Sequence, residues 1–383
     1  MMYLDYSETA LNELDAYWTA KEIQQQPLAW EKALTELAAN KATIDAFLQP
    51  ILAIKNLRII FTGAGTSAFI GACILPAVGA HTGLRVEAIP TTDIVSNPRE
   101  FLQAEVPTLL VSFGRSGNSP ESVATVDYAD VLIKQCYQLA LTCNAEGELF
   151  KRCQGENKLA LLMPPETNDV SFAMTSSFSS MMLSALYLFC PADDFKQQLQ
   201  QSIFASEAMM ATHNNALKTV ALKKYQRVIY LGSGVFKGLA QEAALKLLEL
   251  TDGAAVSSFD SPLGFRHGPK AIVNSDTLVM LFISNHPHTR KYDLELLAEL
   301  QADSEVGQIV VVSAQQDKQL AGSDSIVLQG METAKDSFLL FPYIACAQIY
   351  AFQHALAIGN TPDNPSSSGT INRVVQGVNI YAL

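Results

Sequence analysis

Two short stretches combine glycine with hydroxyl side chains in a way suited to binding an anion. Residues 114–122 read GRSGNSPES and residues 63–67 read GAGTS, and each follows an apolar, strand-like run. Glycine lets the backbone approach a ligand closely, and hydroxyl groups and backbone N–H groups at helix starts donate hydrogen bonds to phosphate. Arg115 adds a positive charge. Taken alone, either stretch is equally typical of a turn that caps a helix, but two of them after neighbouring strands favour a phosphate site.

The glycine pattern argues against a dinucleotide site. The third glycine of a G-x-G-x-x-G motif beginning at Gly63 is replaced by Ala68, and no acidic residue clearly follows the second strand. Dinucleotide-binding sites normally have both the third glycine and the acidic residue. The sequence therefore predicts one phosphate on a small ligand and no cofactor.

A third group of titratable residues lies in the second half of the chain. Glu242, Lys246 and Glu249 stand at i, i+4 and i+7 of an apolar helix-like segment, which places them on one face. Spacing alone favours a solvated salt-bridge stripe. His267 follows in a loop between Gly264 and Gly268; a lone histidine is usually structural, but its side chain can also transfer protons near neutral pH.

No metal site is predicted. His286 and His288 stand close together, but no carboxylate or cysteine beside them completes a ligand set, so a surface loop is favoured.

These groups are set in a chain that repeats itself. Gly232 and Gly234 repeat Gly63 and Gly65 at an offset of 169 residues, and the strands TLLVSF and TLVMLF share that offset. Strands that are apolar throughout and alternate with helices indicate parallel sheets covered on both faces. The sequence predicts an α/β fold of two doubly wound, flavodoxin-like domains. The predicted segments are a helical N-terminal extension at 1–49, domains at 50–195 and 205–355, and a C-terminal tail at 356–383 that closes over the site.

Composition narrows the partners and the location. The net charge of −12 disfavours nucleic acid and anionic membrane surfaces. Six scattered cysteines and the lack of a basic region before an apolar one at the N-terminus predict a cytoplasmic protein. The apolar segment 171–190 has membrane-spanning length, but six serines and one threonine interrupt it, so a buried helix is the prediction.

Together these motifs resemble the sugar isomerase (SIS) domain family, in the double-domain arrangement of the isomerase half of glucosamine-6-phosphate synthase. The matching segments are GTS at 65–67, RSGNS at 115–119, EAALKLLE at 242–249 and RHGPKAIV at 266–273. The resemblance covers about residues 50–383. The tail and the RSGNSPES loop look most like AgaS-type members, which are linked to galactosamine 6-phosphate and tagatose 6-phosphate.

The resemblance implies a role for each motif. Glu249 shuttles a proton between sugar C1 and C2, Lys246 assists, and His267, supplied by a neighbouring subunit, opens the ring. The implied phosphate-binding residues are Ser67, Thr66, Arg115 through its backbone, Ser116, Gly117 and Ser119. Further candidates for contact with the sugar are Gly65, Thr175, Ser176 and Glu242.

The departures from the synthase shape the predicted reaction. Arg373 stands where the synthase has a tail lysine, and because arginine stays protonated it transfers only an electrostatic role. No glutaminase domain is recognised, so amide transfer from glutamine is not expected. The prediction is a homodimeric or larger deaminase that converts galactosamine 6-phosphate to tagatose 6-phosphate and ammonia. The alternatives are a plain ketose/aldose isomerase and, from another class, a sugar-phosphate sensor; the acidic, two-copy chain disfavours the sensor.

Overall fold

A computed structural model describes residues 1–366, 368–369, 372–375 and 377–383. The chain forms two compact units, each built around one five-stranded sheet. The unit that we call the N-terminal sheet unit comprises 28–169, 174–192 and 371–383. The C-terminal sheet unit comprises 1–27, 170–173 and 193–370.

The strands and helices of the described residues alternate along most of the chain. The strands are β1 Met2–Tyr3, β2 Tyr6–Ser7, β3 Arg58–Thr62, β4 Arg85–Ala88, β5 Thr108–Gly114, β6 Cys136–Thr142, β7 Lys158–Leu162, β8 Arg227–Gly232, β9 Val256–Asp260, β10 Thr277–Phe282, β11 Gln308–Ser313 and β12 Asp324–Val327. The α-helices are α1 Glu8–Glu13, α2 Tyr17–Gln24, α3 Gln26–Ala39, α4 Lys41–Leu52, α5 Thr66–Thr82, α6 Thr91–Ser96, α7 Pro98–Phe101, α8 Pro120–Leu132, α9 Glu148–Arg152, α10 Ser176–Phe189, α11 Phe195–Ala221, α12 Val235–Leu250, α13 Pro262–Phe265, α14 Pro287–Gln301 and α15 Asp336–Ile358. Short 3₁₀ helices cover Pro165–Thr167, Pro269–Ile272 and Lys318–Leu320.

Both sheets are parallel and have the same strand order. The N-terminal sheet runs β4-β3-β5-β6-β7, and the C-terminal sheet runs β12-β11-β10-β8-β9. Counted within each unit, both orders are 2-1-3-4-5, which is the flavodoxin-like arrangement. The predicted α/β fold of two doubly wound domains is confirmed, and the shared order agrees with the internal repeat.

Burial explains why the central strands form. Every residue of β3 (RIIFT), β5 (TLLVSFG) and β10 (TLVMLF) is buried, as expected for strands with helices on both faces. The edge strands β4 (RVEA) and β9 (VSSFD) are shorter or more polar and are partly exposed. The hydrophobic pattern therefore indicates the centre of each sheet most clearly.

The apolar segment at 171–190 forms the core helix α10, as predicted. Almost all of its residues are buried, and Trp30 Nε1 donates to the Ser179 hydroxyl across 2.8 Å. In the described part of the chain, no helix is long and apolar enough to cross a membrane.

The two ends of the chain differ in detail from the sequence expectation. The N-terminal extension is mostly helical, but it begins with the β1–β2 hairpin. The predicted tail at 356–383 begins inside α15, which ends at Ile358, and the described residues beyond it form neither a helix nor a strand. Ser367, Thr370, Ile371 and Gln376 of the predicted tail lie outside the described residues.

The start of the tail is fixed by one carboxylate. Asp363 accepts hydrogen bonds from the backbone N–H groups of Trp18 and Thr19 at 2.9 and 2.7 Å, and from the Thr19 hydroxyl. It therefore supplies the N-terminal cap that α2 lacks from its own N-cap residue, Ala16.

Candidate functional site

The two predicted phosphate loops leave neighbouring strands at the switch point of the N-terminal sheet. Strands β3 and β5 are paired, with Thr62 opposite Ser112. Ligands of doubly wound sheets bind beyond the carboxyl ends of strands at this position, because the chain leaves the first and third strands in opposite directions. The sheet order thus places GAGTS and GRSGNS at the edge where the fold binds ligands.

The first loop leads directly into a long helix. Gly65 is the N-cap of α5 and has φ of 57°, a left-handed conformation that favours glycine. Thr66 and Ser67 form the first turn and are buried. The Ser67 hydroxyl lies 3.7 Å from the sulfur of Met174. The N–H groups of Ser67 and Ala68 already donate to the carbonyls of Ala64 and Gly65, at 3.2 and 2.9 Å, so the turn offers an anion its hydroxyl groups and the positive end of the helix dipole.

The second loop is held in shape from the next strand of the sheet. Gly117 has φ of 66°, and the Thr142 hydroxyl donates to the Gly114 carbonyl at 2.6 Å. The Asn144 side-chain amide donates to the Ser116 carbonyl at 2.9 Å. Ser119 is the N-cap of α8, but its side chain makes no capping hydrogen bond. The alternative in which this stretch only caps a helix therefore has no support from the Ser119 side chain.

Thr142 and Asn144 were not identified from the sequence. Both directly follow or end an apolar strand, which is the position where parallel α/β sheets carry functional residues. Their position at the end of an apolar strand was the one sequence signal that could have indicated these two residues. Their carbonyl partners are fixed only by the tertiary fold.

Thr175 and Ser176, two further sugar-site candidates, lie at the start of α10 and are fully buried. The backbone N–H groups of Thr175, Ser176 and Ser177 all donate to the Asp169 carboxylate, at 2.8, 3.2 and 2.9 Å. Asp169 is itself fully buried, and the Ser177 hydroxyl adds a bond of 2.6 Å. Sequence reasoning missed Asp169, which stabilises the helix start through its negative charge.

Arg115 and Arg373 meet in the same unit. Arg115 is only 5% exposed, and its Nη2 donates to the backbone carbonyl of Arg373 at 3.0 Å. The Arg373 guanidinium in turn donates to the Asp169 carbonyl, at 3.1 Å from Nε, and to the Asn168 side-chain oxygen at 3.3 Å. The Arg115 side chain therefore joins the second predicted phosphate loop to the tail. The family resemblance implied a role only for the Arg115 backbone.

Three of the four predicted acid–base residues, Glu242, Lys246 and Glu249, lie on α12 of the C-terminal sheet unit. The Lys246 ammonium forms an ion pair with Glu249 and lies 3.5 Å from Glu242 Oε1. The side chains of Glu242 and Lys246 are 0% and 1% exposed, whereas that of Glu249 is 20% exposed. The solvated stripe that spacing alone favoured is therefore wrong, because helical periodicity shows which residues share a face but not whether water reaches it.

Burying this cluster is unfavourable unless each charge is compensated. Glu249 is the member of the cluster that solvent reaches. Glu249 therefore combines a buried cationic partner with access to solvent, so its carboxylate can reach a ligand.

His267 is exposed in the loop after α13 of the same unit. Its backbone N–H donates to the Gly264 carbonyl at 2.9 Å. The flanking Arg266 and Lys270 both form ion pairs with Glu299 of α14, at 2.8 and 2.7 Å. The backbone on either side of the histidine is therefore held to a helix while the imidazole faces outward.

The equivalent loops of the C-terminal sheet carry internal carboxylates. The Ser233 hydroxyl and the Ser284 N–H donate to Asp293 at 2.6 and 2.9 Å, and the Asn285 N–H donates to Asp336 at 2.8 Å. Burial raises the pKa of Asp293 to about 6 and also raises the pKa of Asp336. Donors after β8 and β10 are thus satisfied within the protein, unlike an open anion site.

The structure therefore sorts the predicted residues by unit. The N-terminal sheet unit holds Gly65, Thr66, Ser67, Arg115, Ser116, Gly117, Ser119, Thr175, Ser176 and Arg373, and the C-terminal sheet unit holds Glu242, Lys246, Glu249 and His267.

Comparison with known proteins identifies the fold and its relatives. The SIS domain family matches residues 51–190 and 221–359. The chain is 46% identical over 366 residues to D-galactosamine-6-phosphate deaminase AgaS of Escherichia coli, covering 95% of each protein. It is 45% identical to the protein of that name from Shewanella sp. (strain ANA-3), covering 98% of this chain and 94% of the relative.

A solved structure agrees with these matches. The tagatose-6-phosphate ketose/aldose isomerase of Escherichia coli superposes with a TM-score of 0.89 at 43% identity, covering 95% of this chain and 96% of the other. The resemblance inferred from the four motifs is confirmed: the chain belongs to the SIS domain family and contains two copies of the domain.

Proposed function

We propose that this protein is an amino-sugar-phosphate deaminase of the aldose–ketose isomerase type that converts galactosamine 6-phosphate and water to tagatose 6-phosphate and ammonia. The proton on C2 moves to C1 and a proton passes from the nitrogen to O1, which turns the C1 aldehyde into an alcohol and the C2 amine into an imine. Water then adds to C2, and the C–N bond breaks to release ammonia. The relatives named as galactosamine-6-phosphate deaminases, matched over 94–95% of their length, support this substrate.

The phosphate group is assigned to the loops at 65–67 and 115–119. The positions of these loops at the sheet's switch point, the left-handed Gly65 and Gly117, and the start of α5 support this assignment. Anchoring the phosphate uses binding energy away from the reacting carbons to orient them.

Proton transfer is assigned to Glu249, and its pairing with the buried Lys246 is the observation that most supports the proposed reaction. A carboxylate can remove the weakly acidic C2 proton if a nearby cation stabilises the negative charge that develops on the sugar. Lys246 supplies such a charge. Glu242, fully buried, balances that cation from within the protein.

Ring opening is assigned to His267, acting across the boundary of a homodimer or larger assembly. The exposure of His267 supports this assignment, because its imidazole is accessible to another subunit. Imidazole is suited to move a proton between sugar oxygens near neutral pH. The tail at 356–383 is assigned a role in closing the site, with Arg373 as its positive charge. The scattered spacing of the six cysteines, with no C-x-x-C pair, supports a cytoplasmic location.

A plain ketose/aldose isomerase is the second candidate, supported by the solved relative of that name. We would incubate the protein with galactosamine, glucosamine and N-acetylgalactosamine 6-phosphates and with tagatose 6-phosphate, and measure ammonia and ketose separately. The proposal predicts ammonia from galactosamine 6-phosphate at the highest kcat/KM of the panel. Interconversion of tagatose 6-phosphate with its aldose, without ammonia from any amino sugar, would identify the second candidate instead.

A further inference from the structure

The side chain of Arg115 bears a permanent charge in a nearly buried position. Its Nη2 donates to the backbone carbonyl of Arg373 at 3.0 Å, which lies 258 residues away in the sequence. A buried guanidinium needs acceptors because leaving its N–H groups unsatisfied is costly. The contact with the tail therefore stabilises Arg115 and the tail together.

The Arg373 side chain is held by neutral groups. Nε and Nη2 donate to the Asp169 carbonyl, and Nη2 also lies 3.3 Å from the Asn168 side-chain oxygen. Within the described ranges, no carboxylate lies within ion-pair distance of this guanidinium, and Nη1 has no acceptor there. The tail contact thus fixes the direction of Arg373 without neutralising its charge.

The segment that receives Arg373 is itself held by hydrogen bonds. The Asp169 carboxylate accepts three backbone N–H groups at the start of α10, and the Ser177 hydroxyl adds a fourth bond. The Asp169 carboxylate accepts hydrogen bonds from α10, and its backbone carbonyl accepts the hydrogen bond from Arg373. We call Arg115, Asn168, Asp169 and Arg373 the tail dock.

We propose that the Arg115 side chain is a positioning residue of the tail dock: it seats the tail so that Arg373 presents an uncompensated positive charge to an anionic sugar intermediate. This inference rests on the proposed function for the identity of the anion, but the docking itself does not. It differs from the role implied by the family resemblance, in which Arg115 contacts phosphate through its backbone.

The test compares Arg115→Ala with a control, Arg152→Ala, which removes an arginine paired with Asp127 at the surface of the same unit. Three quantities are measured in the full chain: hydrogen–deuterium exchange of the peptide covering 372–383, affinity for inorganic phosphate by calorimetry, and kcat for ammonia release. For Arg115→Ala the tail dock predicts at least tenfold faster exchange in that peptide, at least tenfold lower kcat, and phosphate affinity within threefold of wild type. Arg152→Ala should change none of them.

Unchanged tail exchange in Arg115→Ala would overturn the inference. A tenfold loss of phosphate affinity, with or without faster exchange, would make the side chain a phosphate ligand and would overturn it as well. If Arg115→Ala does not fold, Arg115→Lys provides the comparison, since lysine keeps one donor and should give intermediate exchange. Hydrogen–deuterium exchange does not require turnover, so it still tests the tail dock if the proposed substrate is incorrect. If the tail dock is incorrect, wild-type protein should still release ammonia.

Discussion

Replacing each of the two glutamates beside Lys246 separates a structural charge from a chemical one. Glu242→Gln and Glu249→Gln are the same change on the same helix, but the first side chain is 0% exposed and the second is 20% exposed. Two unit charges 3.5 Å apart attract by about 5 kcal/mol at an effective dielectric constant of 20. Removing one partner of a buried pair typically costs about 3–5 kcal/mol, because the other charge stays buried.

We therefore expect Glu242→Gln to lower the free energy of unfolding by about 3 kcal/mol, the low end of this range, because Glu249 still pairs with Lys246 but is partly solvated. Glu249→Gln should lower it by less than about 1 kcal/mol, since this carboxylate is partly solvated and Glu242 still compensates Lys246. Glu249→Gln should instead slow the reaction, with kcat reduced by roughly 10²–10⁴ and little change in KM. Glutamine keeps the shape of glutamate but is not a base.

Urea denaturation and steady-state ammonia release on the same preparations measure both effects. The reasoning is refuted if Glu249→Gln turns over at nearly the wild-type rate, which would return the cluster to a structural role. It is also refuted if the two variants lose equal stability, because burial would then not distinguish the two carboxylates.

Three further predictions follow from the same structure. Ser116→Ala combined with Ser119→Ala should raise KM for the sugar phosphate by about 1–3 kcal/mol of lost binding, and unchanged KM in the folded protein would place the phosphate elsewhere. Mixing inactive Glu249→Gln and His267→Asn proteins should restore part of the activity if the histidine acts across a subunit boundary; no recovery after verified subunit exchange would show that each chain uses its own histidine. Because burial raises the pKa of Asp293 from 3.8 to about 6, its protonation stabilises the folded state in acid and this contribution is lost as the pH rises through 6. The free energy of unfolding of wild type relative to Asp293→Asn should therefore fall by about 2 kcal/mol between pH 4.5 and 7.5, and denaturation curves showing no fall would contradict the pKa.

The sequence predicts the centre of each sheet because those strands are buried on both faces. The apolar runs of β3, β5, β8 and β10, and their repeat, are direct consequences of that environment. The edge strand β9, with the sequence VSSFD, has little hydrophobic signal. It forms because β8 offers a free edge, and a local pattern does not contain that information.

The site divides in the same way. Donor-rich loops after strands are visible in the local sequence, so the sequence can predict the 65–67 and 115–119 segments as candidate phosphate loops. The burial of Lys246 and the capping role of Asp169 depend on which surfaces cover them, and periodicity does not report this. The partners of Arg115 and Asp363 lie hundreds of residues away along the chain, so no local motif indicates them.

The central claim is that this chain releases ammonia from galactosamine 6-phosphate by a proton transfer that needs Glu249. The most direct measurement follows that substrate with wild-type and Glu249→Gln proteins by NMR, recording ammonium and ketose phosphate in the same sample. We expect one ammonium for each tagatose 6-phosphate formed by wild type and neither product from Glu249→Gln at the same protein concentration. Ammonium and ketose at equal rates from both proteins would contradict the role of Glu249, and an inert galactosamine 6-phosphate with folded wild type would contradict the proposed reaction.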